Sequence, residues 1–183
     1  MSRMFPTVGR FRHGYHQGEV DSFFALARRV YERSGDEQMT ALDVRAMSFD
    51  LTRGGYTTDP VDAALDRLEA AFVARERQAF IAHNGSAAWM EQVAGRARTL
   101  YGRLTRPAGD RFDAPERAIV GYRSRDVDAM LDRLIAYFDH GAAIHSSVLR
   151  DAVFQRAKGP TAYAEGPVDA FLDRAVEVLL GVE

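Results

Sequence analysis

The sequence has no cysteine and almost no excess of either charge among its 183 residues. The absence of cysteine excludes a disulfide scaffold, thiolate-bound zinc, iron–sulfur clusters and a cysteine nucleophile. Lys and Arg total 24 against 26 Asp and Glu, so the basic surface that binds nucleic acid is not expected. No apolar run approaches the roughly 18–20 residues of a membrane span. The N-terminal segment Met1–Pro6 lacks the apolar core of a signal peptide, so export is not expected.

The common catalytic and cofactor motifs are also missing. The chain has no P-loop, no Gly-x-Gly-x-x-Gly and no Gly-x-Ser-x-Gly. His13, His16 and Glu19 have the spacing of metal ligands on one helix face, but Gly14 and Gly18 interrupt that face. We therefore predict no catalytic residue, no metal site and no cofactor.

A short pattern occurs four times: a tyrosine, four further residues and then Val-Asp. The four copies are Tyr15, Val20 and Asp21; Tyr56, Val61 and Asp62; Tyr122, Val127 and Asp128; and Tyr163, Val168 and Asp169. Val20 to Val61 and Val127 to Val168 both span 41 residues, and Val20 to Val127 spans 107. Equal spacings of this kind indicate a duplicated pair of repeats. The predicted organisation is a first pair at 1–82, a bridging segment at 83–106 and a second pair at 107–183.

Each copy continues as the apolar face of a helix. The positions four, seven and eleven residues after each valine are apolar in all four copies: Phe24, Ala27 and Tyr31; Leu65, Leu68 and Phe72; Leu131, Leu134 and Phe138; and Leu172, Ala175 and Leu179. This spacing predicts four short amphipathic helices. Helices this short are marginal alone, so they are expected to pack together. Whether they pair within one chain or between the chains of a homodimer stays open at this point.

The repeated aspartates and tyrosines have structural interpretations. Pro60 and Pro167 each precede a repeat valine, which favours the first helical position and makes Asp59 and Gly166 the N-caps. The repeated aspartates then lie near the unpaired N–H groups of the first turn. Each repeat tyrosine is expected to pack its ring under the next helix and to keep its hydroxyl near water or backbone.

The segments upstream of the tyrosines differ between copies. Thr40–Asp43 is a capping box that predicts a short helix in copy two, and His145–Arg150 aligns with it in copy four. Copies one and three begin instead with loops after Phe5 and Phe112. Between the two pairs, the apolar spacing over about 86 to 104 predicts a bridging helix with Trp89 in the core. The fold class expected is all-α, a pseudo-symmetric bundle of paired helix-loop-helix repeats.

These residues resemble the N-terminal module of the bacterial DivIVA family. That module has Leu-Thr-Pro-x-Asp-Ile, a Phe-Arg-Gly-Tyr loop, and Glu-Val-Asp-x-Phe-Leu at the start of a helix. Copy two carries Thr40-Ala41-Leu42-Asp43-Val44, then Arg53-Gly54-Gly55-Tyr56 and Pro60-Val61-Asp62. Copy one carries Phe11-Arg12-His13-Gly14-Tyr15 and Glu19-Val20-Asp21-Ser22-Phe23-Phe24.

The resemblance implies a cytoplasmic scaffold at septa or cell poles that lies against the inner membrane face and recruits division or cell-wall growth proteins. In the family, the loop before the tyrosine presents an aromatic residue and an arginine to lipid. The matching positions are Phe11 and Arg12 in copy one, Arg53 in copy two, Ile119 and Val120 in copy three, and Arg156 and Lys158 in copy four. The expected partners are other proteins and an anionic membrane surface. An alternative is a small-molecule-binding or enzymatic helical domain with its site between the two halves.

Overall fold

The protein is mostly helical in the computed structural model, which describes residues 3–32 and 38–183. Met1 and Ser2 of the N-terminal segment lie outside this range. Within it, the helices are α1 (Gln17–Tyr31), α2 (Ala41–Arg45), α3 (Thr58–Asn84), α4 (Ser86–Leu104), α5 (Ser124–His140), α6 (Ser146–Arg150) and α7 (Glu165–Val182). The strands are β1 (His13–Tyr15), β2 (Leu51–Arg53), β3 (Val120–Arg123), β4 (Arg156–Lys158) and β5 (Ala162–Tyr163).

The two small sheets correct the all-α expectation. β1 pairs antiparallel with β2, and β3 lies between β4 and β5, antiparallel to both. The segments around Tyr15, Tyr122 and Tyr163 are strands, and Tyr56 forms an isolated bridge with Tyr15, because their backbone groups bond to one another across each pair of copies. Gly14 and Gly121 allow this close approach. A Cβ on Gly14 would lie 2.2 Å from the carbonyl oxygen of Tyr56, and one on Gly121 would lie 2.1 Å from that of Tyr163.

The chain forms two compact units, one of the described residues up to Ala79 and one of Phe80–Glu183. In unit 1, α1, α2 and the first part of α3 enclose a core that includes Val20, Val44, Val61 and Phe72. In unit 2, α7 packs against α4 and α6. The helix predicted over 86 to 104 is confirmed as α4, and it belongs to unit 2.

The predicted apolar faces are largely buried. Leu131 and Leu134 of α5 have no exposed surface, and neither does Ala175 of α7. Tyr31 at the end of α1 is the exception among the named positions, since 46% of it is exposed. Trp89 is buried as predicted, and its indole nitrogen donates to the carbonyl oxygen of Gly181 at 2.8 Å.

The repeat helices begin earlier than predicted. α3 begins at Thr58 and α7 at Glu165, so Pro60 and Pro167 occupy third helical positions, and Asp59 and Gly166 are not N-caps. Proline is tolerated there because the N–H groups of the first turn have no partner within the helix. Each repeated aspartate is the fifth residue of its helix, where the backbone N–H is already bonded, so capping does not explain it.

Two further features of the helices bear on the sequence predictions. The short helices of copies two and four are confirmed as α2, with the Thr40–Asp43 capping box, and α6, with His145 at the N-cap. α3 is not short, however: it runs for 27 residues to Asn84. Its composition contains neither proline nor glycine after the first turn, so nothing local ends it before Gly85.

Candidate functional site

The tyrosines and aspartates of unit 1 meet across the two copies. The Tyr56 hydroxyl donates to the two carboxylate oxygens of Asp21 at 3.0 and 3.2 Å. The same hydroxyl accepts from the backbone N–H of Met4 at 3.3 Å. In the reverse direction, Tyr15 of copy one interacts with Asp62 of copy two. Tyr15 and Tyr56 also exchange backbone hydrogen bonds of 2.8 and 2.9 Å. Each copy thus supplies the tyrosine for the aspartate of the other.

Unit 2 contains the same set of contacts. Tyr163 donates to Asp128 at 3.1 and 3.2 Å and accepts from the backbone N–H of Arg111 at 3.1 Å. Tyr122 faces Asp169, and Tyr122 and Tyr163 are partners in the sheet. The expected backbone contact is present at Tyr56 and Tyr163, whose hydroxyls accept from the N–H groups of Met4 and Arg111. The aspartate of the paired copy is an additional partner that the sequence does not predict.

These contacts change the acidity of the tyrosines. Burial raises the pKa of Tyr56 and of Tyr163 above the ordinary value of 10.0, and the hydrogen bond to the neighbouring aspartate raises each pKa further. The pKa values of Tyr15 and Tyr122 are raised by burial and by Asp62 and Asp169. All four hydroxyls therefore hold their protons more tightly than a tyrosine in water.

The end of the β1–β2 sheet in unit 1 presents an aromatic ring among arginines. The Phe11 side chain is 77% exposed. The Arg10 guanidinium lies 4.9 Å from the centre of that ring, and Arg12 follows it in an exposed turn. Arg53 lies opposite His13 in the sheet, and the Gly54 N–H donates to the Arg12 carbonyl at 2.9 Å. The structure therefore brings Phe11, Arg12 and Arg53 together. We call Arg10, Phe11, Arg12 and Arg53 the unit 1 tip.

The corresponding end of the sheet in unit 2 is apolar with a single lysine. Ile119 is 55% exposed and Val120 is 38% exposed. Lys158 lies opposite Val120. Ala118, just before them, has φ of +72°, a left-handed conformation in which the loop turns into β3. Ile119, Val120 and Lys158 thus lie together, whereas Phe11 has no aromatic counterpart here.

Arg156 occupies a different setting from the other predicted contact residues. It lies opposite Tyr122, with its guanidinium 5.2 Å from the centre of the Tyr122 ring. It also forms an ion pair with Glu165 at the start of α7. Arg156 therefore stabilises the junction of β4 with α7, although its side chain is partly exposed.

The histidine segment considered as a metal site has a structural role at the start of α1. His16 is the N-cap of α1, where its Nδ1 accepts from the Glu19 N–H at 3.3 Å. Across residues 3–32 and 38–183, no group of three or more His, Asp or Glu side chains is arranged to hold a metal ion. No helix in the same ranges has both the length and the apolar character to cross a bilayer.

Two residues of these sites were missed in the sequence. Arg10 could have been found, because Arg10-Phe11-Arg12 places a cation on both sides of an aromatic residue. Arg111 carried no such signal. It is buried, and it donates to the Asp128 carbonyl at 2.9 Å and to the Asp132 carboxylate at 2.6 Å.

Comparison of the chain with protein-family models, with curated proteins and with solved structures gives no match.

Proposed function

We propose that this protein is a non-enzymatic adaptor of bacterial cell division or polar growth, built from four DivIVA-type repeats. In this proposal the repeats pair within the chain, copy one with two and copy three with four. The protein acts in the cytoplasm through contacts with other proteins, and its unit 1 tip binds weakly to the inner membrane face at a septum or pole. The observation that carries the proposal is the exposed Phe11 ring among the arginines of the unit 1 tip.

The pairing of the repeats is supported by equivalent contacts that occur within each of the two units. In each unit a tyrosine of the second copy donates to an aspartate of the first, Tyr56 to Asp21 and Tyr163 to Asp128. The carbonyl of Asp50 accepts from His16, and that of Gln155 accepts from Arg123 in the same way. Such repeated contacts are expected if one ancestral pair was duplicated.

The side chains of the unit 1 tip set an upper limit on the free energy of membrane binding. Burying one phenylalanine gains about 1.5–3 kcal/mol. Each arginine near an anionic surface adds about 1 kcal/mol. Phe11 with three arginines thus gives about 4.5–6 kcal/mol, an affinity weaker than micromolar. Lasting attachment then needs a second contact, such as a membrane-bound partner protein, through avidity.

The proposal is tested by imaging a fluorescent fusion of the full chain in a rod-shaped bacterium and by co-sedimentation of the purified protein with anionic vesicles. We expect enrichment at septa or poles and weak, salt-sensitive sedimentation. Phe11→Ser combined with Arg12→Ser should abolish sedimentation, because it removes the apolar anchor and one cation from the tip.

The matched control is Leu42→Ser with Arg29→Ser, which removes an exposed apolar residue and an arginine from α2 and α1, away from the tip. This control should sediment like the wild type. Uniform distribution of the fusion throughout the cell would contradict the adaptor proposal. Sedimentation that survives the Phe11 and Arg12 changes would show that the membrane site lies elsewhere.

A further inference from the structure

A pocket in unit 2 is lined by side chains that differ from those at the matching positions of unit 1. It has a volume of about 290 Å³ and lies between α6, the loop after it, β3 and α7. Ala152 forms part of its wall. The Ala152 N–H donates to the carbonyl of Leu149, just as the Met47 N–H donates to that of Val44 in unit 1. The larger Met47 side chain packs against the unit 1 core, so exchanging methionine for alanine leaves space in unit 2.

The pocket joins an apolar floor to a charged rim. Its apolar lining is supplied by Leu149, Phe154, Leu172 and Val176. Val176 stands where unit 1 has Glu69, whose carboxylate is hydrogen-bonded by Arg45. The apolar character of the floor is therefore also particular to unit 2.

The rim carries two carboxylates and one guanidinium. Asp169 and Asp173 are one turn apart on α7, and Arg150 lies across from them on α6. The lining thus has a net charge of −1, from two acids and one base. Asp169 faces the Tyr122 hydroxyl, and a carboxylate has room for more than one donor. Burial is the largest cause that raises the pKa of Asp169, and Asp173 adds to the shift, whereas the hydrogen bond from Tyr122 and the charge of Arg156 oppose it. A cation that donates to Asp169 would offset the cost of burying its negative charge.

We infer that this pocket binds an arginine or lysine side chain of a partner protein. Such a side chain is apolar along its stem and charged at its end. The stem would lie on Leu172 and Val176, and the charged group would donate to Asp169 beside Tyr122. The inference rests on the proposed function, since it names the chemistry of the protein partner that an adaptor would hold.

The experiment follows methyl NMR signals of Leu149, Leu172 and Val176 in the full chain as a peptide is added. The probe is acetyl-Gly-Arg-Gly-amide, and the same peptide with Glu in place of Arg is the charge control. We expect saturable shifts with the Arg peptide and none with the Glu peptide. Ala152→Met should abolish the shifts by filling the pocket as Met47 does in unit 1. Val153→Met is the matched control. Val153 is 94% exposed, so this variant introduces the same methionine side chain outside the pocket.

A second variant tests the charge of the pocket without filling it. Asp169→Asn should weaken binding about tenfold, because it removes a charge-assisted hydrogen bond. Equal shifts with the Glu peptide, or binding that Ala152→Met and Asp169→Asn both leave intact, would overturn the inference. No shift with the Arg peptide would also overturn it, while septal or polar enrichment of the fusion would still support the adaptor proposal.

Discussion

At the scale of single residues, Gly121 lies too close to the neighbouring backbone to accept a side chain. An added Cβ would lie 2.1 Å from the Tyr163 carbonyl oxygen, which is backbone and cannot rotate away. We expect Gly121→Ala to lower the free energy of unfolding by about 1–3 kcal/mol or more. The measurement is the urea midpoint. Gly95→Ala is the control: this glycine lies inside α4 with nothing within 4 Å of its added Cβ, and the change should stabilise by about 0.5–1 kcal/mol.

The Tyr163–Asp128 hydrogen bond predicts a second residue-scale effect. Tyr163→Phe removes the hydroxyl that donates to Asp128 and accepts from the Arg111 N–H, leaving buried polar groups without this partner. We expect a loss of about 1–3 kcal/mol in the free energy of unfolding. Tyr137→Phe is the comparison, because the Tyr137 hydroxyl makes no hydrogen bond to the residues that the structure describes. This variant should change the urea midpoint less. Equal losses in the two variants would contradict this account.

The same hydroxyls predict how stability depends on alkaline pH. The pKa of Tyr163 and of Tyr56 is raised above 10.0 in the folded state, first by burial and then by the aspartate. The stabilisation is therefore fully present below pH 10.0 and is lost as pH rises through the folded-state pKa values. Urea midpoints measured over this range should fall with pH in the wild type and fall less steeply in Tyr163→Phe. A profile that Tyr163→Phe leaves unchanged would show that this residue does not contribute.

At the scale of elements, α5 and α3 differ in how completely they bury the repeat face. Leu131 of α5 has no exposed surface, whereas Leu65 of α3 is partly buried. Leu131→Ala should cost about 2–5 kcal/mol, because it removes buried methyl groups and leaves a cavity. Leu65→Ala should cost clearly less. Chemical denaturation of the two variants checks the order, and a larger loss for Leu65→Ala would mean that α5 is not the better packed helix.

The elements also show which features the sequence could predict. The helices were predictable because apolar residues recur at helical spacing over many residues, as at Val127, Leu131 and Leu134. The strands were not, because β1 has three residues and β5 has two, too few for alternation to be visible. The start of α3 was misplaced because Pro60 is equally acceptable at any position of a first turn.

The candidate sites also include residues that the sequence could predict and contacts that it could not. Phe11 and Arg12 were found from their local pattern and lie together on an exposed turn. The Tyr56–Asp21 and Tyr163–Asp128 hydrogen bonds each join residues 35 positions apart, and no local pattern reports such a contact. The pocket beside Ala152 was hidden for a related reason, since the equivalence of Ala152 with Met47 becomes clear only from their backbone contacts.

At the scale of the whole molecule, the assignment of α4 to unit 2 can be tested with fragments. Trp89, Val93 and Leu100 of α4 are buried, and the indole of Trp89 bonds to α7. We expect a fragment of residues 80–183 to give helical circular dichroism and a cooperative unfolding transition. A fragment of 107–183 lacks α4, exposes the apolar face of α7 and should be much less stable. Equal stability of the two fragments would contradict the contribution of α4.

The backbone bonds between Tyr15 and Tyr56 have a consequence for how the protein responds to its own concentration. A pair joined within one chain forms in a first-order step, so dilution cannot separate it, whereas a dimer of two chains dissociates as concentration falls. Because the two paired repeats belong to one chain, they can also differ in sequence. One side of the unit 1 tip carries Phe11 and the other carries Arg53, a left–right difference that a homodimer of single repeats could not encode.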